Sequence, residues 1–545
     1  MKNLKIYLFA ILALTFVIQS CDEEEALIAQ LEEENPLPGA TTGTPGSLDL
    51  SKYVAVGNSL TAGFMDNALY TSGQDHSFPN LLAQQFQISG IGGREFNQPD
   101  IGSANGRSGV NPAGGFFGRL ELSLSLLRPV PTVGEQVTPY GGDKTTLNNF
   151  GVPGMRLVDV ADAGLAARNG LYGRFASQPG VSTVLGDALA ANPTFFSFWL
   201  GNNDILGYAA GGGANEALIT SAGDFQASLT QALGGLVQSG AQGVVMTIPQ
   251  IILAPFFRAV PYNAIPMTDQ ATVDQLNGAF AGLNAALDGL AQFQLLTVEQ
   301  ANARKVSYAL GANPILMYDD ALTDIGPLFD ALLGAGAITA GQRAALDPYR
   351  QSRPATSSDL PTLSAATSLG QPLVIGGVPQ PTAVIGVSYP APDNLILSAS
   401  EVQTVVGTRA TFNATIAGVV AGINQSAPGT LTLVDVQPTF VDLAGLDAAT
   451  ARFLVDPTNG ANAALAAMGT AAVAAVDGEL GIRIGGVNLA PDFSPNGVFS
   501  TDGVHLNPRG YAIVANLIID ALNTSKGASI PPINVLALRG VITTD

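Results

Sequence analysis

The chain has 545 residues, of which 47% are hydrophobic and 12% are charged, with 63 glycines and 34 prolines. This composition predicts a folded, loop-rich protein, argues against intrinsic disorder, and at this length favours one large elaborated domain or a core with an inserted subdomain. The net charge of −20, without a cluster of lysines and arginines, argues against a nucleic-acid partner; one cysteine and two histidines argue against a disulfide or a multi-histidine metal site.

The N-terminus is typical of a bacterial lipoprotein signal. Two lysines precede an apolar run over residues 6–18, and the only cysteine, Cys21, stands where signal cleavage is expected. We therefore predict a signal peptide over residues 1–20 and lipidation of Cys21, with an ordinary signal and an incidental cysteine as the alternative. The acidic residues 22–25 resemble the export tag of Bacteroidetes lipoproteins, which favours display on the outer face of the outer membrane over the periplasmic face.

A linker separates this anchor from the folded part of the chain. Residues 35–47 are rich in Pro, Gly and Thr and lack apolar periodicity, so residues 21–47 are predicted to hold the lipid anchor and a flexible tether. The folded domain is predicted over residues 48–545.

Within this domain, short apolar runs alternate with amphipathic segments. We predict strands at residues 53–56, 194–200, 243–248 and 431–436. We predict helices at residues 80–86, 224–237, 273–290 and 508–522. Strands that alternate with helices of this length imply parallel βαβ units, so the core is predicted to be α/β and doubly wound.

Two stretches do not fit a minimal sheet. The first, about residues 100–144, is rich in Gly, Asn and Pro and contains a predicted hairpin strand at 116–127. The second, about residues 303–426, mixes short helical patterns with Pro-rich turns and is predicted to be an insertion or cap before the last core strand. The Ala-rich residues 464–476 are too few and too weakly apolar to span a bilayer and are predicted to form a packing helix.

Polar residues follow two of the predicted strands. Ser59 lies in the turn after the first strand, and Asn203 lies in the Gly-Asn-Asn-Asp turn after residues 194–200. In open parallel sheets, ligands bind beyond the carboxyl ends of the strands, where the winding direction changes. These two turns are therefore the first candidates for a functional site.

A serine nucleophile needs a base and an oxyanion site. His505 is the candidate base, because Asp502 three residues earlier can hold the imidazole in the productive tautomer. Gly154, in a glycine-rich turn, and Asn203 can supply N–H donors to an oxyanion. The other histidine, His76, is predicted to be a surface or rim residue before a helix.

These segments resemble the motif blocks of the SGNH/GDSL hydrolases, in the order found in that family. Residues 57–60 (GNSL) are similar to the first block, residues 149–154 (NFGVPG) to the second, residues 201–204 (GNND) to the third and residues 502–505 (DGVH) to the last. The resemblance implies a flavodoxin-like three-layer α/β/α sandwich with a parallel sheet, here with a large insertion. Asn58 departs from the family, which usually has Asp at that position.

Residue by residue, the resemblance assigns the same roles as the chemistry. Ser59 is the nucleophile and donates its own N–H to the oxyanion, Gly154 and Asn203 are the other oxyanion donors, His505 is the base and Asp502 is its partner. Asn58 is expected to shape the turn through local hydrogen bonds that an amide can make as well as a carboxylate.

The function expected on this basis is hydrolysis of carboxylic esters through an acyl-enzyme at the bacterial cell envelope. Candidate substrates are an acylated glycan, a short-chain ester or a lipid ester, and no cofactor or metal is expected. The only other partner predicted is the membrane, reached through the N-terminal lipid anchor. Two alternatives stay open: an acyltransferase on the same fold, and a catalytically silent lipoprotein that binds surface glycans or nutrients. The acyl chain length and the oligomeric state are not specified by the sequence.

Overall fold

The computed structural model describes residues 42–444 and 481–544. The predicted signal peptide, lipidation of Cys21, most of the linker and the helix predicted at 464–476 lie outside these residues. None of the described helices combines the length and the apolarity needed to cross a bilayer.

A five-stranded parallel sheet forms the centre of the molecule. Its strands are β1 (Tyr53–Gly57), β2 (Asn149–Gly151), β3 (Phe195–Trp199), β4 (Gln242–Met246) and β5 (Leu431–Val434). Every residue of β1, β2 and β3 is buried, as expected of a parallel sheet covered on both faces. The predicted α/β core with a parallel sheet is thus confirmed, and β2, which has only three residues, is a strand that the sequence did not predict.

Among the described residues, seven helices belong to the layers around this sheet, and further short helices at Thr71–Asp75, Leu165–Arg168, Gly170–Gly173 and Gln437–Leu443 lie between them in the chain. The seven are α1 (Ser59–Ala62), α2 (Phe78–Phe86), α3 (Val184–Ala190), α4 (Asn203–Ala210), α5 (Ala222–Gln238), α6 (Ala399–Ser426) and α7 (Pro508–Lys526). Helix α2 packs against α7, whereas α5 packs against both α3 and α6. Two separate groups of helices flanking one parallel sheet are compatible with a three-layer α/β/α arrangement.

The strand order places two turns side by side. The order across the sheet is β5-β4-β3-β1-β2, so the chain leaves β1 for the edge strand β2 and then returns past β1 to β3. Gly57 at the end of β1 is in register with Trp199 at the end of β3. The turns that follow β1 and β3 therefore leave the same edge of the sheet, at the point where the winding direction reverses.

A second hydrophobic cluster lies between β4 and β5 in the chain. Its buried residues run from Ile265 to Ile396. Its main helices are Gln270–Gln292, Val298–Arg304, Gly326–Gly334 and Ala340–Leu346.

The bounds of this cluster differ from the insertion predicted at about 303–426. The helix predicted at 273–290 belongs to the second cluster rather than to the core. Conversely, α6 belongs to the main core, because Val402 and Phe412 are buried there and the Phe412 ring stacks on Phe225 of α5, with 3.9 Å between ring centroids. Periodicity identifies a helix but not the core against which it packs.

The hairpin expected in the 100–144 region is present. Phe116–Ser123 pairs antiparallel with Arg128–Gly134. The predicted strand extended to residue 127, but it ends at Ser123 because residues 124–127 form the turn, where Leu127 has a φ of 51°.

Three carboxylates meet where the second cluster joins the core. Oxygens of Asp320, Asp393 and Glu401 lie within 4.8 Å of one another. Burial is the main cause that raises the pKa of Glu401 to about 7, and the charges of Asp393 and Asp320 add to it. Burial likewise raises the pKa of Asp393 to about 6. None of the three lines the pocket described below.

We expect the carboxylates of Asp320, Asp393 and Glu401 to make the fold less stable as the pH rises. A carboxyl group whose folded-state pKa is raised contributes its full stability below the unfolded value of about 4, and loses it as the pH rises through the folded value. The melting temperature should therefore fall between about pH 5 and pH 8. Glu401→Gln keeps the oxygen that accepts the Ser398 N–H, and its melting temperature should fall less over this range. The exposed Glu216→Gln serves as control, and equal slopes for all three proteins would contradict the expectation.

Candidate active site

Ser59 lies at the start of α1, directly after β1. The Asn58 side chain caps this helix by accepting the Leu60 N–H at 3.0 Å, so the turn-shaping bond expected of Asn58 is present. A side chain at Gly57 would place its Cβ 1.9 Å from the Thr61 hydroxyl, so this close turn requires glycine. Strand, glycine and cap together direct Ser59 to the edge of the sheet.

Ser59, His505 and Asp502 form one hydrogen-bonded chain. The Ser59 Oγ lies 2.9 Å from His505 Nε2, and His505 Nδ1 lies 3.0 Å from Asp502 Oδ2. With the proton on Nδ1 the ring donates to the carboxylate and leaves Nε2 to accept from the serine hydroxyl. The Phe64 ring packs beside the imidazole, with centroids 4.8 Å apart. The structure thus brings together three predicted residues from opposite ends of the chain.

The Asp502 carboxylate is held by backbone donors as well as by the imidazole. Oδ1 accepts the N–H groups of Val504 and His505, and Oδ2 accepts the N–H of Asn67, each at 2.8 Å. Burial alone would raise the pKa of Asp502, but the neighbouring imidazole and these hydrogen bonds outweigh it, so the pKa lies well below its ordinary value. The carboxylate is therefore charged at any pH near neutrality.

Asp66 and Asn67 support this carboxylate and were not predicted. Both adopt left-handed backbone conformations, with φ of 54° and 61°. The buried Asp66 side chain accepts hydrogen bonds from Tyr70 and from the backbone and hydroxyl of Thr501. This ties the left-handed turn to the loop that carries Asp502. The only signal in the sequence is the Asp-Asn pair, since both residue types tolerate this conformation.

Asn203 and Gly154 lie in neighbouring turns. The Asn203 amide donates to the Met155 carbonyl at 2.9 Å, one residue beyond Gly154. Gly154 has a φ of 80°, and its N–H has no hydrogen-bond partner among the described residues. The Ser59 N–H is at the first residue of α1, where a helix supplies no acceptor. The N–H groups of Ser59 and Gly154 and the second N–H of the Asn203 amide thus have no partner among the described residues.

Asp204 links the turn that follows β2 to the turn that follows β3. It is fully buried and accepts the Leu157 N–H at 2.8 Å and the Thr220 hydroxyl at 2.6 Å. Burial raises the pKa of Asp204 to about 6. Its bonds fix the chain that follows Gly154 against α4, whose first residue is Asn203.

A small pocket opens beside the serine. Ser59, Asn203 and His505 line it, whereas Gly154 does not. Its walls are mainly apolar and include Trp199 and Phe499, and its volume is about 50 Å³. The pocket can therefore hold a small group next to the Ser59 hydroxyl.

The other histidine and two arginines of the second cluster are engaged away from the pocket. His76 lies at the end of the helix Thr71–Asp75, where Nδ1 is 2.7 Å from the Ser72 carbonyl oxygen, and it does not line the pocket. In the second cluster, Arg353 is paired with Asp359 at 2.6 Å. Arg350 likewise forms an ion pair, with Asp324.

Comparison with known proteins gives no assignment. No family model matches the chain, and neither a curated protein nor a solved structure matches it.

Proposed function

We propose that this protein is a serine hydrolase of the SGNH/GDSL kind that cleaves carboxylic esters. The observation that carries the proposal is the chain from Ser59 through His505 to Asp502, with distances of 2.9 and 3.0 Å. This is the arrangement in which a base removes the proton of a nucleophile and a carboxylate orients the base. The strand order, 2-1-3-4-5 in the numbering of the chain, agrees with the flavodoxin-like fold expected for that family.

In the proposed reaction, His505 acts first as a base and then as an acid. Ser59 Oγ attacks the ester carbonyl carbon while His505 Nε2 takes the serine proton. The oxyanion that forms is stabilised by the N–H groups of Ser59, Gly154 and Asn203. When the C–O bond of the alcohol breaks, His505 returns its proton to the departing oxygen and leaves an acyl-serine. Water then attacks the acyl-serine while His505 takes a proton from the water. The bond between the acyl carbon and Ser59 Oγ breaks, His505 returns that proton to Ser59 Oγ, and the carboxylic acid is released.

The proposed cellular location of the reaction rests on the lipoprotein prediction. An enzyme attached through Cys21 to the outer membrane would meet acylated glycans or lipids of the envelope. A sugar hydroxyl that replaced water in the second step would make the same chain an acyltransferase. Product analysis with and without a sugar acceptor separates the two reactions.

Labelling with a fluorophosphonate tests the proposal most directly. Such a probe reacts with a serine only where a base activates it, so we expect one adduct per chain, located on Ser59 by peptide mass spectrometry. The His505→Ala variant should label far more slowly. Intact protein that stays unlabelled would favour the catalytically silent binding protein instead.

The Asn203 side chain offers a separate test of the oxyanion site. Asn203→Ala removes the hydrogen bond to the Met155 carbonyl and, with it, a donor that we propose acts on the ester oxygen as charge develops there. We expect kcat for p-nitrophenyl acetate to fall by roughly 10²–10³-fold, with KM changed only a few-fold. An unchanged melting temperature would show that the fold is intact. A large rise in KM with an unchanged kcat would assign Asn203 to substrate binding instead.

A further inference from the structure

An open groove lies beside the turn that carries Gly154. Residues 107–109, 136–139, 168–171 and 173–174 line it, and its volume is about 730 Å³. This volume lies in the range of about 300–1,000 Å³ that is typical of ligand sites. Three arginines line the groove, whereas no aspartate or glutamate of the described residues does, in a chain whose net charge is −20. We call this site the arginine groove.

Two contacts connect the arginine groove to the candidate active site. Asn169, which lines the groove, donates to the Pro153 carbonyl at 2.8 Å, and Pro153 directly precedes Gly154. Leu171 also lines the groove, and it packs on the same small apolar cluster as Phe64, whose ring lies beside the imidazole of the base. The groove therefore begins at the proposed oxyanion site.

The groove and the small pocket beside Ser59 lie on opposite sides of β1. The pocket is lined by Trp199 at the end of β3 and by residues that follow β4, whereas the groove adjoins the turn after β2. In the sheet, β1 lies between β3 and β2. An ester with its carbonyl carbon at Ser59 therefore has space for a small group on one side, in the pocket of about 50 Å³, and for a much larger group on the other. Because the alcohol must leave before water enters, the open groove suits the alcohol part.

Arg107 is held in position while its charge stays unpaired. Its guanidinium lies over the Phe116 ring, 4.0 Å from the ring centroid, and the neighbouring Ser108 N–H donates to the Phe117 carbonyl at 2.8 Å. Within the described part of the chain its side chain has no ion-pair or hydrogen-bond partner, and none of its nitrogens is among the buried atoms that lack one. Stacking uses only the face of a guanidinium. The N–H groups at its edge are thus accessible to a ligand.

The other two arginines contribute less directly. Arg174 is buried, and its N–H groups donate to three backbone carbonyls, which satisfy donors but do not neutralise charge. The Asp100 carboxylate acts on this charge but forms no ion pair with it among the described residues. Arg168 forms ion pairs with Asp159 and Asp162. An anion in the groove would meet Arg107 directly and Arg174 only through its field.

The remaining side chains of the groove mix polar and apolar groups. Gln136 and Thr138 are exposed polar residues, and they alternate along the chain with Val137 and Pro139. The hydroxyl groups and C–H faces of a sugar match such a surface, whereas an alkyl chain would cover polar groups without satisfying them. The lining therefore favours a sugar over a lipid chain.

We infer that the arginine groove binds the alcohol part of the substrate and that this part is an acidic glycan, whose carboxylate pairs with Arg107. This inference rests on the proposed function and adds the substrate class to it. A guanidinium and a carboxylate match in charge and shape and form two parallel hydrogen bonds. Arg107 determines specificity, and the chemical steps at Ser59 stay as described above.

The test compares two oligosaccharides that differ in charge. One is acetylated oligogalacturonate, and the other is the same oligosaccharide whose carboxyl groups are reduced to hydroxymethyl groups before acetylation to an equal degree. From the release of acetate we expect kcat/KM of the wild type to be at least about ten-fold higher for the acidic oligosaccharide. In Arg107→Gln this ratio should approach one. Arg128→Gln makes the same change on the hairpin that carries Phe116 but outside the groove, and it should keep the wild-type ratio.

Salt provides a measurement that needs no variant. Because charge pairing is screened, raising NaCl from about 0.05 to about 0.5 M should lower the wild-type ratio. An unchanged melting temperature shows that Arg107→Gln is folded. Equal kcat/KM for the two oligosaccharides, no release of acetate from either, or a wild-type ratio in folded Arg107→Gln overturns the inference. Ser59-dependent hydrolysis of p-nitrophenyl acetate then leaves the proposed function standing. If that ester is not hydrolysed in a Ser59-dependent way either, both proposals fail.

Discussion

Alanine in place of Ser59 is expected to lower kcat for p-nitrophenyl acetate by roughly four to six orders of magnitude. The substitution removes the only oxygen within hydrogen-bonding distance of His505 Nε2 in the described part of the chain, so no acyl-enzyme can form. Initial rates at several ester concentrations measure the effect, and acetate, butyrate and octanoate esters together define the chain-length preference.

The matched control for this substitution is Ser72→Ala, an exposed serine outside the pocket. It should retain the wild-type rate, and Ser59→Ala should show the wild-type melting temperature within a few degrees. Turnover by Ser59→Ala at the wild-type rate would remove the basis of the hydrolase proposal, because the measured activity would then arise elsewhere.

The second large effect is expected at Asp502. Asn at this position presents an amide in place of the carboxylate that accepts the His505 Nδ1 proton, which favours the wrong imidazole tautomer. We expect kcat to fall by roughly 10³–10⁴-fold while KM changes little. The exposed Asp520→Asn on α7 makes the same chemical change without contact with the imidazole and should be fully active. Equal kcat values for the two variants would show that Asp502 has no part in catalysis.

The same substitution has a pH-dependent effect on stability. The pKa of Asp502 is depressed in the folded protein, so its stabilising contribution is present above the unfolded value of about 4 and is lost as the pH falls. Asp502→Asn should therefore melt below the wild type at pH 7, and the gap should narrow in acid. A gap that is constant between pH 7 and pH 3 would contradict this linkage. Differential scanning fluorimetry at a series of pH values measures it.

The core strands could be predicted because burial on both faces leaves a clear pattern in the sequence. The runs at residues 53–56 and 194–200 are apolar, have the length of a strand and end at glycine, and both are strands in the structure. The edge strand β2 has three residues, too few for any periodicity. The extent of the second cluster was missed because the helix Gln270–Gln292 has the same apolar spacing as a core helix.

The residues of the candidate site also divide into those that could be predicted from the sequence and those that could not. His505 could be paired with Asp502 because the two lie three residues apart, and with Ser59 because few histidines compete. The support from Asp66 and Asn67 could not be foreseen, since it depends on hydrogen bonds to residues 435 positions later in the chain.

The distance along the chain between Ser59 and His505 has a consequence for biosynthesis. Ser59 is made early and His505 comes 446 residues later, after the whole second cluster and the last core strand. Until His505 has been synthesised, Ser59 lacks the base that it contacts in the folded protein, and its hydroxyl is as unreactive as that of free serine. Under the proposed function, the nascent chain would therefore not hydrolyse esters inside the producing cell, and activity would begin only once the C-terminal segment that carries His505 has been synthesised and has folded against the sheet.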